Sequence, residues 1–459
     1  MPAYAVGEHE MNERQLNAAQ VACLLVSTTC GIGFVLGTAE IAVHSGFLGC
    51  LYPVATTLGL LLLAMCARPL WASRKSLWDW FEHIYGPPVG RSVALLSFVW
   101  MTGVLAAQIR GGSAILAMTG LSPLSSMLMI ACLLTGLSAI QLSSLSSALA
   151  FCMLLCNAAL FYCLIRSGTL GIWLHAPLQF LHALHSSPPG RTAVTGLSVA
   201  VMVVCGADYQ QFLIAGRSPR ASTLACLLAA GAVFAIGFLP ASAIVATSST
   251  LNLANINDPA AAIPIVLVHA FTDDSANGVR SLVLAVLVTT ALGAGSAVLR
   301  AMSSAAIALA PNHSGTGFIS RAVPVILASL VASCGQTIID MMVDLNIVYM
   351  VATGPLIGLS LLNIRLSPHA ATLVIVEGFC IAVVEYLLHL TGVVTAPGAI
   401  AGIFLTAFPL AFIVTARTRF NGCSLITGRI TDRQNSKIRA IAQGMHRNPH
   451  NRSDKPEVD

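Results

Sequence analysis

Charge is what this chain has least of. Only 9% of its 459 residues are Asp, Glu, Lys or Arg, while 56% are apolar, and the mean hydropathy is +0.83. A soluble domain carries about a quarter charged residues, so that class is excluded. The sequence also lacks the signatures of catalysis: no phosphate-binding glycine loop ending in Lys, no HExxH, no GxSxG elbow, and no soluble segment large enough to hold a cofactor. Its 13 cysteines form no CxxC or Cys/His zinc spacing and sit singly in apolar stretches, where a thiol acts as a small hydrophobe. Cys152 and Cys156, four apart, read as packing. The first twenty residues lack the basic, apolar and small-residue order of a cleavable signal, so the first span is expected to direct insertion. The net charge of +5 is spread over loops and a tail without an interleaved aromatic face, which argues against nucleic acid.

What is present is a succession of apolar runs. A helix needs about 20 mainly apolar residues to cross the hydrocarbon, and continuous runs rule for helices over barrel strands. Twelve spans are expected near 17–44, 46–66, 92–117, 124–142, 145–166, 193–213, 222–248, 278–310, 321–338, 340–362, 370–391 and 395–416. A short segment from Trp173 to His185 reads as an amphipathic helix lying at the interface. Its histidines, His175, His182 and His185, lack a further ligand for metal.

Basic residues fall on alternate loops. Arg68, Arg74, Lys75, Arg91, Arg217, Arg220, Arg321, Arg365 and the tail from Arg417 all lie on one side; only Arg191 and Arg280 depart from it. The positive-inside rule then places both termini in the cytoplasm of a cell whose cytoplasmic (inner) membrane holds the protein. Residues 1–16 would be a cytoplasmic segment, 17–416 the transmembrane domain, and 417–459 a basic tail able to touch anionic headgroups of the lipid bilayer.

Two spans are interrupted by glycine and polar residues at matching places, five spans apart: Ser27-Thr28-Thr29-Cys30-Gly31-Ile32-Gly33, running on to Gly37 and Glu40, and Cys205-Gly206-Ala207-Asp208-Tyr209-Gln210-Gln211. Paired interruptions of this kind mark the substrate site of inverted-repeat transporters, where freed amides and carbonyls bind polar groups. The expected pocket residues are Gly31, Gly33, Gly37, Gln108, Gly206, Asp208, Tyr209 and Gln211. Glycine allows close approach, Tyr209 stacks or gates, and the two glutamines supply donors and acceptors.

Four local stretches resemble the solute:sodium symporter family. They are Ala5-Val6-Gly7 with Gly37-Thr38-Ala39-Glu40-Ile41-Ala42 and Gly46; Ser76-Leu77-Trp78-Asp79-Trp80-Phe81-Glu82-His83-Ile84-Tyr85-Gly86; Ala107-Gln108 with Gly111-Gly112; and Gly206-Ala207-Asp208-Tyr209-Gln210-Gln211-Phe212 with Ala215-Gly216-Arg217-Ser218. The resemblance covers roughly residues 1–365. It implies an all-α membrane protein with a five-plus-five inverted repeat, repeat one at 17–166 and repeat two at 193–362, helices one and six discontinuous, and two helices appended at 370–416. The family usually has one further helix before the first core helix, which is either absent here or upstream of this start. The resemblance also implies a symporter that imports a small polar organic solute.

At the ion site this sequence departs from the family pattern. Sodium is a hard cation that needs several oxygens, which the family draws from carbonyls of helix one and hydroxyls of helix eight. Here Ser27 and Cys30 would offer carbonyls. With Ser303-Ser304 aligned to the family's late serine pair, Gly293 and Ala294 stand where two hydroxyl residues belong. Ser296, with Thr289 and Thr290, lies nearby, so coupling to sodium and coupling to protons both stay open. Intramembrane acids are the candidates for protons: Glu40 near His44, Asp208, Asp340 near Asp344, and Glu377 and Glu385 near His389. Each also has a plainer reading, Asp340 as the cap of span ten and Glu40 as an interface residue. No cofactor beyond a possible sodium ion is expected. The alternatives are a receptor that binds solute on a transporter fold without moving it, and a proton-coupled permease for amino acids or nucleobases.

Overall fold

The structure is a computed structural model that describes residues 16–138, 142–248, 250–256, 258–271, 277–309, 319–334, 337–362 and 364–390. Helices account for its regular structure. Span one is α1 (Ala18–Thr29) and α2 (Ile32–Ser45), and span two is α3 (Leu51–Ser73). A short α4 (Leu77–Tyr85) leads to α5 (Pro87–Ala117), α6 (Pro123–Leu137) and α7 (Leu142–Arg166), which are spans three to five. After α8 (Leu170–Ser186), span six is α9 (Pro189–Cys205) with α10 (Ala207–Ala215), and span seven is α11 (Pro219–Gly237) with α12 (Leu239–Thr247). The short α13 (Ala262–Phe271) precedes α14 (Asn277–Leu309), α15 (Ile319–Ala332), α16 (Ile338–Leu361) and α17 (Pro368–Leu390).

Eleven of the twelve expected spans thus have their helix; 395–416 and the tail lie outside the described residues. Among the described residues, six stretches are long and apolar enough to cross a bilayer, or up to eight if each bent pair is one crossing. One of the six, Ile32–Ser73, is 42 residues long. At 1.5 Å per residue it is about twice the hydrocarbon thickness, so it has to turn back. It does so at Gly46, whose φ of +56° only glycine adopts without strain, followed by a 3-10 turn, Gly46–Cys50. Residues 46–50, expected at the start of span two, therefore form the turn instead. At its other end that helix runs past Arg68 and Pro69 to Ser73, where the sequence pattern ended it at 66. Interior proline is tolerated where neighbouring helices satisfy the freed carbonyl. The segment expected at the interface is the helix α8, which leaves span five at 107°.

Helix starts follow capping chemistry. Asn17 and Gln20 bond each other's backbone N–H at 2.9 Å, a reciprocal cap for α1. Ser122-Pro123 and Ser218-Pro219 open α6 and α11, each serine oxygen accepting from the N–H three residues on. The repeat shows in the connections. Spans two and three are joined through α4, while spans seven and eight are joined through α13, five spans later. The outer surface is apolar, with Met65, Phe151, Leu282 and Leu330 each more than half exposed, as a lipid-facing belt requires.

Both breaks lie where they were expected. Span one stops at Thr29 and resumes at Ile32, with Gly31 extended at ψ 173°. Span six breaks at the single residue Gly206, also extended, and the two halves bend by 42°.

A cavity at the crossing of two broken helices

Breaking a helix frees backbone groups, and each set finds a partner from another element. Gly33 N–H, in the first turn of α2, donates to Gln108 Oε1 of α5 at 3.3 Å. At the other break Gln210 Nε2 donates to Val204 O at 3.1 Å, and the Tyr349 hydroxyl of α16 donates to Cys205 O at 3.1 Å while accepting from Ser97 Oγ at 3.2 Å. The Trp100 indole N–H donates to Asn346 Oδ1. Spans three and ten thereby hold the broken helices one and six apart by polar bonds, inside an otherwise apolar bundle.

Between these elements is a narrow cavity with about 30 Å³ of water-accessible space. Span one lines it with Thr28, Thr29 and Phe34, span two with Tyr52, span three with Trp100, Val104 and Gln108, span six with Asp208 and Tyr209 beside Val199, Met202 and Val203, and span ten with Met342 and Asn346. Asp208 sits in the first turn of α10, where the helix dipole favours a carboxylate. It is buried, and its Oδ1 accepts no hydrogen bond among the described residues.

Of the residues expected in the pocket, Gln108, Asp208 and Tyr209 form its wall. Gly31, Gly33 and Gly206 shape it from behind. A Cβ on Gly33 would meet Gln108 at 3.0 Å, and one on Gly206 would meet Asp208 Oδ1 at 2.8 Å. Gly37 lies elsewhere, packed so closely on Ile339 of α16 that a Cβ would come within 2.7 Å of it. Gln211 is partly exposed and lines nothing here; its neighbour Gln210 is the buried glutamine, and it holds the break. Sequence reasoning missed Trp100 and Asn346. A tryptophan and an asparagine inside apolar spans, each needing a partner for its N–H or amide, were the available signal.

The ion-site residues are placed as follows. Ala294 faces the break of span one, and a Cβ on Gly31 would lie 2.5 Å from the Ala294 methyl. What α14 presents there is a methyl group, which offers no oxygen to a cation. Gly293 is buried beside it, and Ser296, fully buried, donates its hydroxyl to Gly293 O at 3.0 Å. Ser27 is turned to its own helix, bonding Leu24 O at 3.1 Å, and Cys30 is buried. Glu40 is away from the cavity: its Oε2 accepts from Ile338 N–H at 3.0 Å, capping α16 from another helix. Asp340 is therefore not the cap of span ten. It is the third residue of α16, which begins two residues earlier than expected, and its side chain lies outside the described residues. Among the described residues no group of three or more His, Cys, Asp or Glu could hold a metal ion.

The ends of spans one, two and six meet at the side of the protein that carries Arg68, Arg74, Lys75, Arg217 and Arg220. There Arg217 N–H donates to Leu16 O at 3.0 Å and the Trp71 indole to Gly216 O at 2.7 Å, tying the ends of spans one, two and six together. The bond from Gln108 to Gly33 suggests a simple test. Gln108→Leu keeps the volume and leaves a buried N–H unpaired, which costs about 1–3 kcal/mol. Its melting temperature in detergent should fall below that of the parent, and an unchanged value would remove Gln108 from the support of the break.

No protein-family model matches this sequence, and no curated protein matches it. Solved structures do. A Na+-coupled sialic acid symporter in a substrate-bound, outward-open state is similar over 88% of this chain and 91% of its own, at 13% identity and a TM-score of 0.66. Mhp1, a nucleobase-cation-symport-1 family transporter in a closed conformation with bromovinylhydantoin bound, is similar over 89% of this chain and 94% of its own, at 13% identity and a TM-score of 0.59. A manganese transporter of Eremococcus coleocola covers 91% of this chain and 95% of its own, at 14% identity and a TM-score of 0.53. The chain has the fold of an all-α, multi-pass, inverted-repeat membrane transporter with helices one and six discontinuous. At these identities the likeness is one of fold, and it does not single out the solute:sodium symporter family.

Proposed function

We propose that the protein is a secondary transporter that imports a small polar organic solute by alternating access, driven by a cation gradient across the cytoplasmic membrane, with both termini inside. The observation that carries this reading is the cavity itself. It lies at the crossing of two broken helices and is lined by a buried carboxyl group, Asp208, one oxygen of which accepts no hydrogen bond among the described residues. Three fold neighbours of differing cargo, described as a Na+-coupled sialic acid symporter, a nucleobase-cation symport family member and a manganese transporter, support transport as the use of the fold. They leave the solute open.

The test is uptake into liposomes. Purified protein is given labelled amino acids, carboxylates, polyols, nucleobases and amines under an imposed sodium gradient, an imposed proton gradient, or an imposed voltage alone. Accumulation of any solute above protein-free vesicles supports transport, and the gradient that drives it names the coupling. The Ala294 methyl at the expected ion position favours a second reading, a receptor that binds solute without moving it. Binding without accumulation under all three conditions would establish that reading instead.

A further inference from the structure

The cavity wall holds a carboxyl group with no cationic side chain beside it in the described lining. Asp208 is 5% exposed, and no Lys, Arg or His is among the described residues that line the space around it. Its Oδ1 has no hydrogen-bond partner among the described residues. Taking a carboxylate out of water without a partner is unfavourable, so the group either takes up a proton or meets a donor from outside the protein, and a cavity beside it admits the second.

The surroundings say what kind of donor. Four aromatic side chains, Phe34, Tyr52, Trp100 and Tyr209, line the same space. Phe34 and Tyr52 stand edge to face with centroids 5.9 Å apart, and the Trp100 ring is held through its N–H by Asn346. Ring faces attract cations and repel anions, most strongly where water is excluded. A carboxylate among aromatic side chains favours an ammonium group over a carboxylate or a neutral polyol, since an anion would meet Asp208 with the wrong sign and a polyol would leave the rings without an apolar or cationic partner.

Resting on the transporter reading of this cavity, we infer that the solute is a small organic cation, with its ammonium head on Asp208 and its apolar body among Phe34, Tyr52, Trp100 and Tyr209. The inference also gives the Ala294 methyl a place. A cationic solute entering a negative-inside cell is drawn in by the membrane potential acting on its own charge, so uptake needs no oxygen cage for a second cation at the break of helix one.

The experiment uses the full-length protein in detergent and reads ligand-induced shifts in melting temperature. Choline is set beside 3,3-dimethylbutanol, 2-phenylethylamine beside 2-phenylethanol, and sodium chloride beside potassium chloride. At least one ammonium compound should raise the melting temperature while its neutral counterpart does not. Asp208→Asn should weaken that ammonium compound by about 10- to 100-fold, the loss expected for a hydrogen bond to a charged group. Trp100→Leu should weaken it as well, and Trp100→Phe should restore most of the binding. The Trp100 pair keeps the test decisive if the Asp208 variant fails to fold. Neutral or anionic compounds binding as well as the cations, no shift from any cation, or a shift from sodium that Asp208→Asn abolishes would each overturn the inference. A cation that binds but is not accumulated by liposomes defeats the transporter reading alone. Accumulation of a neutral or anionic solute without cation binding defeats the cation inference alone.

Discussion

Asp208→Asn should lower solute uptake by at least about 100-fold while membrane abundance stays near that of the parent. Removing one partner of a buried charge pair costs about 3–5 kcal/mol, and each 1.4 kcal/mol is tenfold in an equilibrium or rate. The Asn side chain is nearly isosteric, and Asp208 Oδ1 accepts no hydrogen bond among the described residues, so the fold has little to lose. The loss should therefore appear in uptake and not in expression or melting temperature, and a variant with parental uptake would remove Asp208 from the solute site. Gly206 gives a companion check. Because its missing Cβ leaves room for Asp208 Oδ1 at 2.8 Å, Gly206→Ala must push the carboxylate or Tyr209 aside and should reduce uptake with Asp208 still present.

The features this prediction uses were unequally legible in the sequence. The two breaks and the eleven described spans could be read directly, because length and hydropathy set a crossing and a glycine among polar residues ends it. Asp208 and Tyr209 followed from their place in the second break, and Gln108, in span three, from the stretch that resembles the solute:sodium symporter family. Gln210 and Gln211 show where such reading stops. They are adjacent, of one chemistry, and about 100° apart around a helix, so only packing decides that Gln210 is 3% exposed and holds Val204 O while Gln211 turns outward. Asn346 and Tyr349 stood out only as polar groups in an apolar span, and their roles were hidden for a related reason. A polar residue in an apolar span looks the same whether it bonds a neighbouring helix or faces a cavity, and their partners Trp100 and Cys205 are 246 and 144 residues away. The role of Glu40 was hidden because its partner is a backbone N–H 298 positions on, which no side-chain pattern announces.

The contact between Gly31 and Ala294 yields the other large effect, and it bears on how helix one moves. Gly31→Ala should reduce uptake by more than about tenfold and lower the melting temperature, since overpacking of a filled interior costs about 1–3 kcal/mol. The new methyl would lie 2.5 Å from the Ala294 methyl and 3.1 Å from Gln108 Oε1. Backbone at a break cannot retreat freely, because Gly31 O already accepts from Phe34 and Val35 N–H at 3.0 and 3.2 Å. If the clash with Ala294 is the cause, Ala294→Gly removes it from the other side, and the double variant should regain most of the lost stability and uptake. The four proteins of this cycle separate two origins of the defect. A coupling energy of at least about 0.5 kcal/mol, favourable in the double variant, places the two methyl positions in one contact. Purely additive losses would mean that glycine is needed at 31 for its extended backbone alone. The same cycle tests whether helix eight guards the break by shape: a recovered double variant shows that this position tolerates a small side chain on either helix, but not on both.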